Sequence, residues 1–131
     1  GFGPSALLVE YRDIDELLDT LGRLDGQLTA SVHATDGEDD IVVRLHDLLR
    51  GIAGRLVYGG YPTGVAVTWA MHHGGPYPAT TSSAHTSVGA TAIRRWLRPI
   101  SYQNAPEVVL PVELRDGNPA GIPRRVDGVL G

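Results

Sequence analysis

Between residues 59 and 85 the chain gathers Tyr61, Trp69, His72, His73, Tyr77 and His85 without a single charged side chain. That composition suits a loop lining a pocket, where aromatic rings bury area and still offer polar handles. Adjacent histidines on a strand point to opposite faces, so His72 and His73 would chelate one ion only with His85, a folded loop and a fourth group. Loop packing or pocket lining is therefore expected of them, and no metal site. Thr80, Thr81, Ser82, Ser83 and Thr86 supply hydroxyls but no evident base and no nucleophile elbow, which argues against a serine hydrolase. Gly74-Gly75-Pro76 has no lysine after it and no helix placed to receive a phosphate. With no cysteine in the sequence, a disulfide, a thiolate metal site and a sulfur nucleophile are all excluded from this chain. The residues left as substrate-pocket candidates are Tyr61, Pro62, Trp69, His73, Gly74 and Tyr77, with covering of the core as the other reading of the aromatics. No catalytic residue is assigned.

Three further groups invite a role. His33 ends an expected strand, where it could touch a substrate or serve as a partly buried, hydrogen-bonded histidine. His46 falls on the polar face of an expected helix and is given none. Glu38, Asp39 and Asp40 resemble a cation site, but acid in the first turn of a helix is already accounted for by the backbone N–H groups exposed there.

The elements that must position these residues follow from hydrophobic spacing. "SALLVEY", Ser5 to Tyr11, reads as a short buried strand. Asp13 with Glu16 has the form of a capping box, and Ile14, Leu17, Leu18, Leu21 and Leu24 make one apolar stripe that Gly26 is expected to stop. "QLTASVH" alternates as a half-buried strand does. A second helix carries Ile41, Val42, Leu45, Leu48, Leu49 and Ile52, with Gly54 at its expected end, and "RLVY" is a third strand. A last helix is expected from Val88 to Arg98, stopped by Pro99, before a proline-punctuated and irregular remainder. Strand, helix, strand, helix, strand at these lengths predicts an α/β chain with a parallel or mixed sheet flanked by helices. Its ligands would sit at the carboxyl ends of the strands, where the aromatic loop begins.

A chain of 131 residues is expected to fold as a single domain, residues 1 to 131. Its net charge of -4 argues against a nucleic-acid partner, which needs a clustered basic field. No apolar run approaches the ~20 residues that span a bilayer, and the first residues lack a signal-peptide pattern, so no membrane association and a cytoplasmic location are expected.

"GFGPS" at the start, "HGGPYPAT", and "TSVGATAIRRWLRPISYQN" after it resemble the aldehyde dehydrogenase superfamily, over essentially all 131 residues. The branch they look most like is the α-ketoglutaric semialdehyde (2,5-dioxopentanoate) dehydrogenases. The resemblance implies a fragment: the carboxy-terminal segment of the catalytic domain, without the dinucleotide-binding domain. It implies NAD or NADP as cofactor of the parent enzyme, with none expected for this chain alone. Gly1-Phe2-Gly3-Pro4 matches a Glu-x-Phe-Gly-Pro motif whose aromatic packs against the nicotinamide, which makes Phe2 the expected cofactor-edge residue; the Glu would precede residue 1. Such enzymes use a cysteine thiolate, a water-activating glutamate and an oxyanion hole, all upstream of the matched region. Gly59 stands where that branch carries Asn, so no amide side chain is available there. The expected partners are the missing amino-terminal part or a second copy, giving a homo-oligomer. A small stand-alone module binding a keto acid is the alternative.

Overall fold

The computed structural model describes residues 3–131 and divides into two compact units, Gly1–Leu97 and Arg98–Gly131. Phe2 lies outside the described residues.

In the first unit the order is α1 (Ile14–Leu21), β1 (Gln27–Val32), α2 (Asp39–Ile52) and β2 (Ala53–Tyr58), then a 3-10 turn at Ala92–Trp96. This is an α/β arrangement, as the hydrophobic spacing predicts. β1 and β2 are parallel, registering Gln27 with Ala53 and Val32 with Tyr58. Two helix stripes cover one face: Val32, Leu45 and Leu49 are buried, with Ile14, Leu17, Leu18, Leu21 and Leu56 packed around them. Burying a leucine or valine side chain fully is worth about 1.5–3 kcal/mol, so this small cluster is what holds the helices to the strands.

The start of α1 follows the expected cap with a shift of one residue. Asp13 accepts a hydrogen bond from the Glu16 N–H at 2.9 Å, but the Glu16 carboxylate accepts from the Arg12 N–H rather than that of Asp13. The helix ends at Leu21, ahead of Gly26, where the chain tightens through Leu24 N–H to Leu21 O. Gly26 serves a different need: a Cβ there would overlap the carbonyls of Pro76 and Tyr77.

Gly54 is likewise no helix cap. Ala53 donates to the Leu49 carbonyl and the chain passes directly into β2, with Gly54 inside the strand. The Gly74 carbonyl lies against it, so a side chain at Gly54 would collide with backbone.

Two expected elements do not form. Residues 5–11 run without regular structure, and Leu7 and Leu8 are 87% and 92% exposed. Their apolarity is that of a buried strand, but no strand of the described residues lies alongside to supply ladder hydrogen bonds. The helix expected from Val88 to Arg98 shrinks to the turn Ala92–Trp96. Gly89 at φ +109° cannot be helical and packs against Met71, while Pro99 holds the residue before it extended; too few residues remain for an α-helix.

The second unit, irregular as expected, holds 3-10 turns at Glu107–Val109 and Val112–Leu114 and a hairpin of β3 (Arg125–Val126) with β4 (Val129–Leu130). Its turn is Asp127-Gly128 with φ of 50° and 85°, the both-positive pattern of a tight hairpin. Among the described residues no helix is long and apolar enough to cross a membrane.

The glycine crossing yields a paired expectation. Gly54→Ala should lower unfolding stability by about 1–3 kcal/mol through overpacking. Gly51→Ala, in α2 with open space around it, should raise it by about 0.5–1 kcal/mol through helix propensity. Urea unfolding of both variants checks the pair, and equal effects of the two would contradict the crossing.

Candidate functional site at the carboxyl ends of the strands

His33 and Tyr58 stand at the carboxyl ends of β1 and β2, and the Gly59 N–H extends the pairing by donating to the Val32 carbonyl at 2.9 Å. Gly59 then turns the chain with φ +62°, a conformation open to glycine and tolerated by asparagine. Tyr61 returns over the strand ends and sets its ring 5.0 Å from that of His33. Beside them, the Tyr58 hydroxyl and His46 Nδ1 lie 2.7 Å apart. Two histidine–tyrosine pairs therefore mark the edge where a parallel sheet presents its ligands. Spacing alone missed the His46–Tyr58 pair, because helix periodicity places His46 on a polar face without saying what lies opposite it.

The long segment after Gly59 has no helix or strand up to Ala92, yet it is tied to itself. The His73 N–H donates to the Thr86 hydroxyl at 2.7 Å, and that hydroxyl donates to the Val88 carbonyl at 2.6 Å. The N–H and hydroxyl of Ser87 both donate to the His73 carbonyl. Thr86, only 4% exposed, is the pin of this arrangement. Nothing in its hydroxyl-rich neighbourhood distinguishes it in sequence.

A cavity of about 590 Å³ lies between β2 and this segment, with Arg55, Tyr58, Tyr61, Met71 and His72 on its walls. Of the expected pocket residues, Tyr61 reaches the cavity although it is 79% exposed. Pro62 is exposed, and Trp69 and Tyr77, 79% and 80% exposed, line none of the cavities described here. His73 is half-buried, with Nδ1 shielded and no hydrogen-bond partner among the described residues. Gly74 is buried against Gly54. Arg55 was legible only as a charge inside an apolar strand. A second cavity, about 390 Å³, follows β1 between Tyr11, Leu17, Leu24 and His33.

Ser82 Oγ and His85 Nδ1 lie 2.8 Å apart in a local turn closed by His85 N–H to Ser82 O. Both are neighbours in the chain, with no third group among the described residues to orient the imidazole, so the contact is that of a turn. Among the described residues no group of three or more His, Asp or Glu side chains could hold a metal ion. The acid at the start of α2 has a local use: the Glu38 carboxylate accepts from the Thr35 N–H at 2.7 Å and the Thr35 hydroxyl at 2.9 Å. These bonds, the backbone one foremost, hold the Glu38 pKa below its ordinary value.

No profile of a known protein family matches the chain. It is 51% identical over 127 residues, 97% of its length, to alpha-ketoglutaric semialdehyde dehydrogenase 2 of Azospirillum brasilense. To alpha-ketoglutaric semialdehyde dehydrogenase of Acinetobacter baylyi it is 49% identical over 129 residues, 98% of its length. Each match takes in 24% of the relative, so the chain spans about a quarter of the length of the curated relatives it matches. The resemblance to these aldehyde dehydrogenases is borne out across nearly the whole chain.

Because the folded Glu38 pKa is depressed, the bonds to Thr35 stabilise the turn above the carboxylate's unfolded pKa and are lost as pH falls through the folded one. In Thr35→Ala, which removes the hydroxyl bond and keeps the backbone one, the Glu38 pKa should move part of the way back up towards its ordinary value, read by carboxyl carbon NMR titration. An unmoved titration would contradict the hydroxyl bond.

Proposed function

We propose that this chain forms the carboxy-terminal part of the catalytic domain of an NAD(P)-dependent semialdehyde dehydrogenase, and that alone it performs no oxidation. The observation that carries the reading is the likeness to two such dehydrogenases along 97–98% of the chain, against 24% of each relative. Oxidation of an aldehyde to an acid in this family proceeds through attack by a thiolate, and the sequence has no cysteine. What the chain contributes is wall and rim: the tilted His33–Tyr61 ring pair at the strand ends and the cavity beside β2 form one side of a substrate crevice.

The described residues do not suit a dinucleotide. The turn from β1 into α2 is where such a fold would seat a pyrophosphate, but Asp36, Glu38, Asp39 and Asp40 surround that helix start and would repel it. NAD or NADP therefore belongs to the remainder of the enzyme, and no step is assigned to it here.

The partner is that remainder or a second copy, in the cytoplasm. Leu7, Leu8, Trp69 and Trp96 are each at least 75% exposed, apolar surface that such a partner would cover.

Two measurements bear on this. The purified chain, given a semialdehyde with NAD or NADP, should produce no reduced dinucleotide above the protein-free rate; sustained turnover would overturn the reading. Light scattering should show mass rising with concentration, and a clean monomer at high concentration would contradict the partner-seeking surface.

A further inference from the structure

The geometry points to a carboxylate-binding site in the cavity beside β2, with Arg55 as the recognising cation. Side chains alternate along a strand. Leu56 packs with the helix-facing core, so its neighbours Arg55 and Val57 face the other way, into the cavity. The parallel register sets Thr29 beside Arg55 and Ser31 beside Val57. A parallel sheet covered on both faces reads apolar on both. Here Arg55 places a cation on that second face at the cavity beside β2, while Thr29 and Ser31 line the cavity that follows β1.

The cation is only partly satisfied. One guanidinium nitrogen, Nη1, donates to the Gly64 carbonyl at 2.8 Å, which anchors the segment after Tyr61. Nε is shielded from solvent with no partner, and among the described residues no carboxylate forms an ion pair with Arg55. With Nη1 committed, the edge left over is the one made by Nε and Nη2, which a carboxylate meets with two parallel hydrogen bonds. Nε is shielded, so a carboxylate reaches this edge only with a local shift of the groups over it. Tyr61 and His72 stand on the same walls and can donate to the ligand's remaining oxygens.

The ligand class is a small organic acid. Tied to the function proposed above, on which only the ligand's identity rests, Arg55 would hold the acid end of a semialdehyde acid and leave the aldehyde end free. Arg55 is then a specificity-determining residue.

The test uses the intact chain, labelled with 15N, and 2-oxoglutarate as probe. The Arg55 Nε–H resonance should shift saturably with 2-oxoglutarate, and not with its dimethyl ester at the same concentration. Arg55→Gln, verified as folded by circular dichroism, should weaken binding at least about tenfold, with Arg55→Lys intermediate. The site is refuted by no saturable shift, by an equal response to the ester or to inorganic phosphate, or by a folded Arg55→Gln that binds unchanged. Should Arg55→Gln not fold, the acid and ester comparison on the unaltered chain decides alone. No aldehyde, dinucleotide or turnover enters the experiment, so aldehyde oxidation by the lone chain would sink the functional reading without touching this one.

Discussion

The contact between α2 and the parallel strand pair is the constraint on which the first unit depends. Val32, Leu45 and Leu49 are its buried centre, and α1 adds Ile14, Leu17, Leu18 and Leu21 at the margin with no buried residue of its own. Because α2 leads into β2 without a linker, fixing the helix stripe on the strands also fixes where Tyr58 ends and where the long segment departs. A seam this small leaves the rest of the apolar content without cover. Such surface is expected where a protein continues into further polypeptide or meets a copy of itself.

Backbone proximity is the second constraint. Gly74 can press its carbonyl on Gly54, and Gly26 can lie under Pro76 and Tyr77, because neither Gly54 nor Gly26 has a Cβ. Those crossings hold the middle of the segment down beside the starts of the strands, while Thr86 and Ser87 lace its far half to His73. The stretch from Gly59 to Met71 is thereby left to run along the second face of the sheet and border the open cavity beside Arg55. A segment without helix or strand can define a pocket when its turns are pinned by buried hydrogen bonds.

Local signals were legible where the cause is local. The Asp13 cap, the stripe from Ile14 to Leu21 and the acidic start of α2 each depend on residues within a few positions, and each reappears in the fold; β1 forms where its alternation predicts, although Leu28 stays exposed. Gly26, Gly54 and Gly89 were misread or passed over for the opposite reason: their need for a missing side chain comes from residues at least eighteen positions away, namely Pro76, Gly74 and Met71. Segment 5–11 reads as a strand because its composition suits burial, but a strand exists only with a neighbour. Similarly, periodicity assigns His46 and Arg55 to faces without revealing Tyr58 or the Gly64 carbonyl opposite them.

By itself the sequence determined the order of the elements from α1 through β2, the absence of any thiol, and the likeness to aldehyde dehydrogenases, since all of these are carried by residue identity and short-range spacing. Only the tertiary structure decided that Tyr61 sets its ring against His33, that Thr86 pins the segment, and that Arg55 faces a cavity with donors to spare. These depend on which distant groups come within a few ångströms of one another, and a hydrogen bond or a steric overlap is set by that distance rather than by position along the chain.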